Sequence, residues 1–231
     1  MDKQVDLQQT SLFTDLPIEA MTYLAEHSYY VDVRRGDVMF RQGEHASFGF
    51  VMCSGGCRLI QHTLDGRDVV LAIFVRGDPV GLVAAMRDEV FPSSAEIVED
   101  GTILKLYADT VRWLIHHYPM VLSKMVDYVQ ERLYEAHQNI RALSTERVER
   151  RLARVLVYLV DKTGLPNEQG TIVLTMAVSR QELAEMSGTT LETVSRTLKQ
   201  WERNGLLEAG REQITIFNRE ELVYLITDVE K

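Results

Sequence analysis

The stretch Ser179–Leu207, SRQELAEMSGTTLETVSRTLKQWERNGLL, constrains this chain more than any other. Ser179 and Glu182 have the three-residue spacing of a capping box, in which each side chain bonds the other residue's backbone amide and starts a helix. Leu183, Ala184 and Met186 give that helix an apolar side. Gly188 supplies the turn, because glycine enters left-handed backbone at little cost. Thr190 caps a second helix running to Leu206, whose Val194, Leu198 and Trp201 recur at helical spacing and face a core. Glu192, Thr193, Ser195, Arg196 and Lys199 remain outside. A helix with Arg, Glu and Ser near its N-terminus suits a DNA major groove. Arginine bonds guanine bidentately, a carboxylate accepts from cytosine N4, and small hydroxyls fit either base. The same pattern fits an ordinary helical hairpin with a solvated charged face, so the hairpin alone leaves both readings open.

Glu192-Thr193-Val194-Ser195-Arg196 resembles the E-x-x-S-R recognition helix of the FNR branch of the CRP/FNR transcription regulators. Ser179-Arg180-Gln181-Glu182-Leu183-Ala184 and Gly188-Thr189-Thr190 are similar to that family's first helix and turn. Gly205-Leu206-Leu207 and Gln213-Ile214-Thr215-Ile216 resemble its β-hairpin wing. The resemblance implies base contacts from Glu192, Ser195 and Arg196. It implies phosphate contacts from Ser179, Arg180, Thr190, Thr193 and Lys199, which position without specifying. The half-site it implies is TTGA-like.

With 231 residues the chain holds one large domain or two modest ones. No apolar run approaches the roughly 18–20 residues that cross a bilayer. The polar start MDKQVDLQQT lacks a signal-peptide core, so a cytoplasmic location away from membranes is expected. Cys53 and Cys57, flanking a Gly-Gly turn, are too few for a disulfide framework or a four-cysteine iron–sulfur cluster, and inert packing is their ordinary role. The net charge of −9 is uneven: residues 144–231 hold 12 basic and 14 acidic residues, so most of the excess acid lies in front. A near-neutral rear half permits a local cationic face. No catalytic triad, metal-ligand cluster, P-loop or dinucleotide fingerprint is present, and an enzyme is not expected.

From Ser11 to His27, Leu12, Phe13, Leu16, Met21, Leu24 and Ala25 fall at helical spacing and predict a lead-in helix. Short β-type runs follow: 29–33, 38–40, 48–53, 57–63, 69–74, 95–98 and 102–106. Glycines punctuate them, and Asp65-Gly66 is a hairpin signal. Such a series predicts an antiparallel barrel or jelly roll. Arg35-Gly36-Asp37, Phe40-Arg41-Gln42-Gly43-Glu44, Ser54-Gly55-Gly56 and Gly77-Asp78 resemble the cyclic-nucleotide-binding β-roll.

In cyclic-AMP-binding members of that family a glutamate holds the ribose and an Arg-Ser pair clamps the phosphate. Here Leu82 stands for the glutamate and Ser93 for the arginine, so no charge-assisted fork meets an anion. Cyclic AMP is therefore not the expected effector. The apolar replacement suits a hydrophobic metabolite or a heme. Resemblance to the gas-sensing branches implies a heme that senses nitric oxide or another diatomic gas, in a pocket of Val80, Gly81, Leu82, Ser93, Ser94, Met125 and Val129. The alternatives are redox sensing without heme and a small-molecule sensor acting through protein contacts only. Histidine is a common axial ligand, and His62 and His137 are the candidates, although a surface histidine is the ordinary reading of each.

Between Pro119 and Leu143, Leu122, Val126, Val129, Leu133, Ala136, Ile140 and Leu143 alternate at steps of four and three. That is a heptad seam, and it predicts a homodimer through paired helices. The expected architecture is α+β: a sensory β-roll over 1–118, a dimerisation helix over 119–143 and a winged helix-turn-helix over 144–231. Twofold symmetry would place two reading helices on a palindrome, half-sites about 34–36 Å apart. An effector would act by shifting the seam, and RNA polymerase is the further partner where the protein activates.

Overall fold

Side chains along a β-strand alternate between faces, and in the first half of this chain both faces of the central strands are apolar. The computed structural model describes residues 2–63, 68–167, 171–210 and 213–227. It divides into two compact units, Met1–Glu135 and Ala136–Lys231. The first unit begins with helices α1 (Lys3–Gln8) and α2 (Ile18–Glu26). Strands β1 (Ser28–Val33), β2 (Val38–Phe40), β3 (Phe48–Met52), β4 (Gly56–His62), β5 (Asp68–Phe74) and β6 (Pro79–Val80) follow. Helix α3 (Leu82–Arg87), strands β7 (Ser94–Glu99) and β8 (Gly101–Tyr107) and helix α4 (Ala108–His117) complete the roll. Two four-stranded antiparallel sheets result, ordered β1-β8-β3-β6 and β2-β7-β4-β5. Strands β4 and β5 pair from Cys57↔Phe74 to His62↔Asp68. The Asp65-Gly66 turn expected between them lies outside the described residues.

The first sheet separates two cores. Phe50 and Met52 of β3 and Ile103 of β8 join Phe40, Phe74, Val80, Phe91 and Ile97 inside the roll. Their strand neighbours Val51, Leu104 and Leu106 pack with Leu7, Leu12, Phe13, Met21 and Leu24 from the N-terminal segment and with Val111 and Leu114 of α4. The N-terminus thus corrects the sequence reading, which made 1–10 a polar lead and 11–27 one helix. Asp2 caps α1 by accepting from the Gln4 amide at 2.9 Å. Buried Asp6 then accepts from the Tyr30 hydroxyl at 2.7 Å. Asp15 takes a positive φ of 64° and Pro17 stands at the N-cap of α2, which breaks helical continuity between the two.

Helix α5 (Met120–Thr145) runs unbroken across the division between units. Val121 and Met125 are buried in the helix-side core. The seam residues Leu122, Val126, Val129, Leu133, Ile140 and Leu143 are 43–61% exposed, and Ala136 is exposed with them.

In the second unit, α6 (Val148–Thr163), β9 (Gly164–Pro166) and β10 (Ile172–Leu174) lead to α7 (Arg180–Ser187) and α8 (Leu191–Arg203). Strands β11 (Leu207–Ala209) and β12 (Ile214–Ile216) and helix α9 (Arg219–Thr227) close it. The sheet order is β11-β12-β10-β9, all antiparallel. Leu152, Leu156 and Leu159 of α6 are fully buried, as are Leu183, Val194 and Leu198 of the hairpin. Gly164–Pro166, whose glycine and proline suit a turn, pairs with β10 at the edge of the sheet. Helix α9, not foreseen, packs on α6.

Candidate nucleic-acid interface

The hairpin α7–α8 forms by local chemistry. The Ser179 amide and hydroxyl both donate to the Glu182 carboxylate at 2.7 Å, and the Glu182 amide donates to the Ser179 hydroxyl at 3.1 Å. Loss of such a cap costs about 1 kcal/mol. Gly188 ends α7 in left-handed backbone, φ 62° and ψ 46°. Thr190 caps α8, its hydroxyl accepting from the Thr193 amide at 3.3 Å and lying 3.0 Å from the Thr193 hydroxyl.

Helix α8 then divides cleanly. Val194, Thr197, Leu198 and Trp201 are buried; each large apolar side chain contributes about 1.5–3 kcal/mol on leaving water. Glu192, Arg196 and Lys199 are exposed. Among the described residues none of the three has a hydrogen-bond or ion-pair partner in the chain. Ser195, Arg196 and Lys199 line one open surface concavity with Gln200 and Arg203. Sequence reasoning missed Gln200 and Arg203, although steps of four and seven from Arg196 place them on its face.

The remaining expected contacts are less free. The Ser179 hydroxyl is engaged by Glu182, and Arg180 donates to the Ala209 carbonyl of β11 at 3.4 Å. Thr190 and Thr193 sit at the α8 N-terminus, where backbone amides and the helix dipole favour an anion such as phosphate.

The residues expected to form an effector pocket divide between the two cores and the surface of α5. Val80 lies in the roll core with Phe40 and Phe91, whose rings stack on each other at 3.7 Å between centroids. Gly81 has φ +70° and abuts those rings, where any Cβ would collide with Phe91. Leu82 and Met125 belong to the helix-side core, and Leu82 fills the space beside Gly49. Ser93 and Ser94 are buried, with the Ser94 hydroxyl accepting from the Gln42 amide at 2.9 Å. Val129 is exposed on α5. Tyr128, not expected there, donates from its hydroxyl to the Pro79 carbonyl at 3.3 Å, beside the same segment.

The candidate heme ligands do not fit a heme. A porphyrin needs an apolar slot beside its axial ligand. His62 and His137 are both exposed, neither belongs to the roll core, and the Nδ1 of His62 lies 2.6 Å from Asp68. Among the described residues no cluster of three or more His, Cys, Asp or Glu could hold a metal ion. The cysteines are not a pair either. Cys53 packs in the helix-side core and Cys57 in the roll core. Burial, reinforced by Asp6, pushes the Cys53 thiol up to about 12. Burial, with Asp78 adding to it, raises Cys57 further still.

Comparison with known proteins meets this geometry at both ends of the chain. Residues 30–118 match the cyclic nucleotide-binding domain, and residues 150–225 match the Crp-like helix-turn-helix domain. The chain is of the CRP/FNR type. Among its relatives, the cyclic AMP receptor protein of Thermus thermophilus is 29% identical, covering 83% of each chain. The transcriptional activator protein anr of Pseudomonas aeruginosa is 25% identical, over 84% of this chain and 78% of its own. The solved structure of FixK2 from Bradyrhizobium japonicum has the same fold: TM-score 0.77 at 23% identity, over 88% of this chain and 99% of that one. The relatives are transcription regulators rather than enzymes, and this CRP/FNR-type chain is a DNA-binding transcription regulator. Among its described residues no helix is long and apolar enough to cross a membrane.

Proposed function

We propose that this regulator reads a TTGA-like inverted repeat as a homodimer, under an effector other than cyclic AMP. The observation that carries the reading is the outer face of α8, where Glu192, Ser195 and Arg196 stand on successive turns and neither charge has a partner among the described residues. Arg196 bonds guanine, Glu192 accepts from the opposite strand, and Ser195 meets a neighbouring base. Thr190, Thr193, Arg180 and Lys199 hold phosphates, while Ser179 acts through its cap. The exposed apolar seam of α5 supports pairing of two chains, since a row of large hydrophobic side chains this exposed is costly in water.

The effector reading rests on the roll. Leu82 and Ser93, at the positions where relatives of the cyclic-AMP-binding kind carry a glutamate and an arginine, are both buried and offer no cation to a phosphate. An apolar organic molecule is the effector class that suits this lining. Contact with RNA polymerase in the cytoplasm follows where the regulator activates. The test is a gel shift at fixed salt on a TTGA-type palindrome and on the same duplex with one half-site scrambled. Specific retardation of the palindrome, lost with the half-site, is expected. Equal retardation of both would overturn the dimeric reading.

A further inference from the structure

The turn between α7 and α8 sets the angle at which α8 meets a duplex, and a side chain from another helix holds that turn. Arg151, in the first turn of α6, donates from Nε to the Ser187 carbonyl at 2.8 Å and from Nη2 to the Gly188 carbonyl at 3.0 Å. Its Nη1 donates to the Glu146 carbonyl at 2.8 Å. The carbonyls at a helix C-terminus lack intrahelical partners and carry partial negative charge, which a guanidinium answers. Glu146 stands between α5 and α6, and it is itself fixed. Its carboxylate is 7% exposed and accepts from Arg154 Nη2 at 2.5 Å. On the other side of the turn, a Cβ added to Gly188 would strike the Leu143 side chain, so the end of α5 also packs there.

We propose that Arg151 is a positioning residue for DNA reading, tying the 187–188 turn to the end of α5 and thereby fixing the tilt of α8. The proposal rests on the reading of α8 as the base-contacting helix; Arg151 itself touches no DNA. One guanidinium spans three carbonyls because its donors are held in a rigid fork. A lysine ammonium keeps the charge but is a point donor on a flexible stem, so it cannot hold the three together. Leu143 closes the exposed seam and also touches the turn, so the state of the seam and the pitch of the reading helix share one contact.

The test uses the full-length protein, wild type and Arg151→Lys, with Arg151→Ala as a second variant. Two duplexes are compared across a salt series: one recovered by selection with the wild type, and a scrambled control. Arg151→Lys is expected to weaken the selected duplex about tenfold, because charge-assisted hydrogen bonds that orient α8 are lost. Affinity for the control should stay within about twofold and the salt slope should not change, because no phosphate contact is removed. Hydrogen exchange without DNA supplies the second readout. The amides of Thr189 and Thr193, which bond the Ala184 carbonyl and the Thr190 hydroxyl, should exchange faster, while those of α6 hold. Wild-type discrimination together with unchanged exchange at the turn in both variants would overturn the proposal. A wild-type chain that does not discriminate between duplexes counts against the DNA reading instead, and the exchange comparison then decides on Arg151 alone.

Discussion

Among the described residues Glu192, Arg196 and Lys199 have no hydrogen-bond or ion-pair partner, which leaves all three available to a duplex in the proposed reading. Arg196→Ala should cost about 1–3 kcal/mol on the specific site and relax the preference at one guanine, as read by binding to duplexes varied base by base. Lys199→Ala should weaken all duplexes alike and lower the salt slope by about one. An unchanged base preference in Arg196→Ala would show that another side of the hairpin faces DNA. The cap, the turn and the outward residues were legible in the sequence because they arise within a few residues of one another. Arg151 was not, since its partners in the turn lie 36 and 37 residues away. The cysteines give a pH prediction. Cys53 has a folded pKa of about 12 against an ordinary thiol value of 9.0. Its contribution is therefore complete below pH 9, where folded and unfolded thiols are both protonated, and is lost as pH rises toward 12. The gap in urea midpoint between wild type and Cys53→Ala should narrow as pH rises from 8 to 11; a constant gap would contradict this burial.

Elements with a strong period announced themselves, and those that borrow their stability from neighbours did not. The heptad spacing gave α5 within a residue or two of its observed ends, and the glycine-punctuated runs gave seven of the strands of the roll. Helix α1 was hidden because six polar-looking residues have too few turns to show a period, yet Leu7 is fully buried and Asp6 is held by Tyr30 and Arg76. Helix α9 was hidden because among its residues only Leu222 is buried. The two-residue strand β6 is fixed by pairing with β3 rather than by its own sequence. At this scale the seam makes a direct prediction. Leu133, 53% exposed in the single chain, would lie desolvated beside its twin in a dimer. Leu133→Glu should therefore sediment as a monomer with its β-content intact and little specific DNA binding. A dimer that survives the substitution would place the interface elsewhere.

Across the whole molecule, the net charge is −9, so a helix that meets DNA must supply its own positive face. Arg196, Lys199 and Arg203 line one concavity, so under the proposed reading affinity should depend on those side chains far more than on bulk charge. The order of domains was legible because each half has its own texture, short strands in front and capped helices behind. The expected effector pocket was less so. Which core a side chain enters depends on sheet packing, and Leu82 and Met125 belong to the helix-side core while Val80 belongs to the roll core. The central claim, a twofold-symmetric reader of base sequence, is met most directly by selection from a library of randomised duplexes with the full-length protein. The account predicts enrichment of an inverted repeat of TTGA-like half-sites whose centres lie about one helical turn, roughly 34–36 Å, apart. Enrichment of no sequence, or of a single half-site without its symmetric partner, would contradict it.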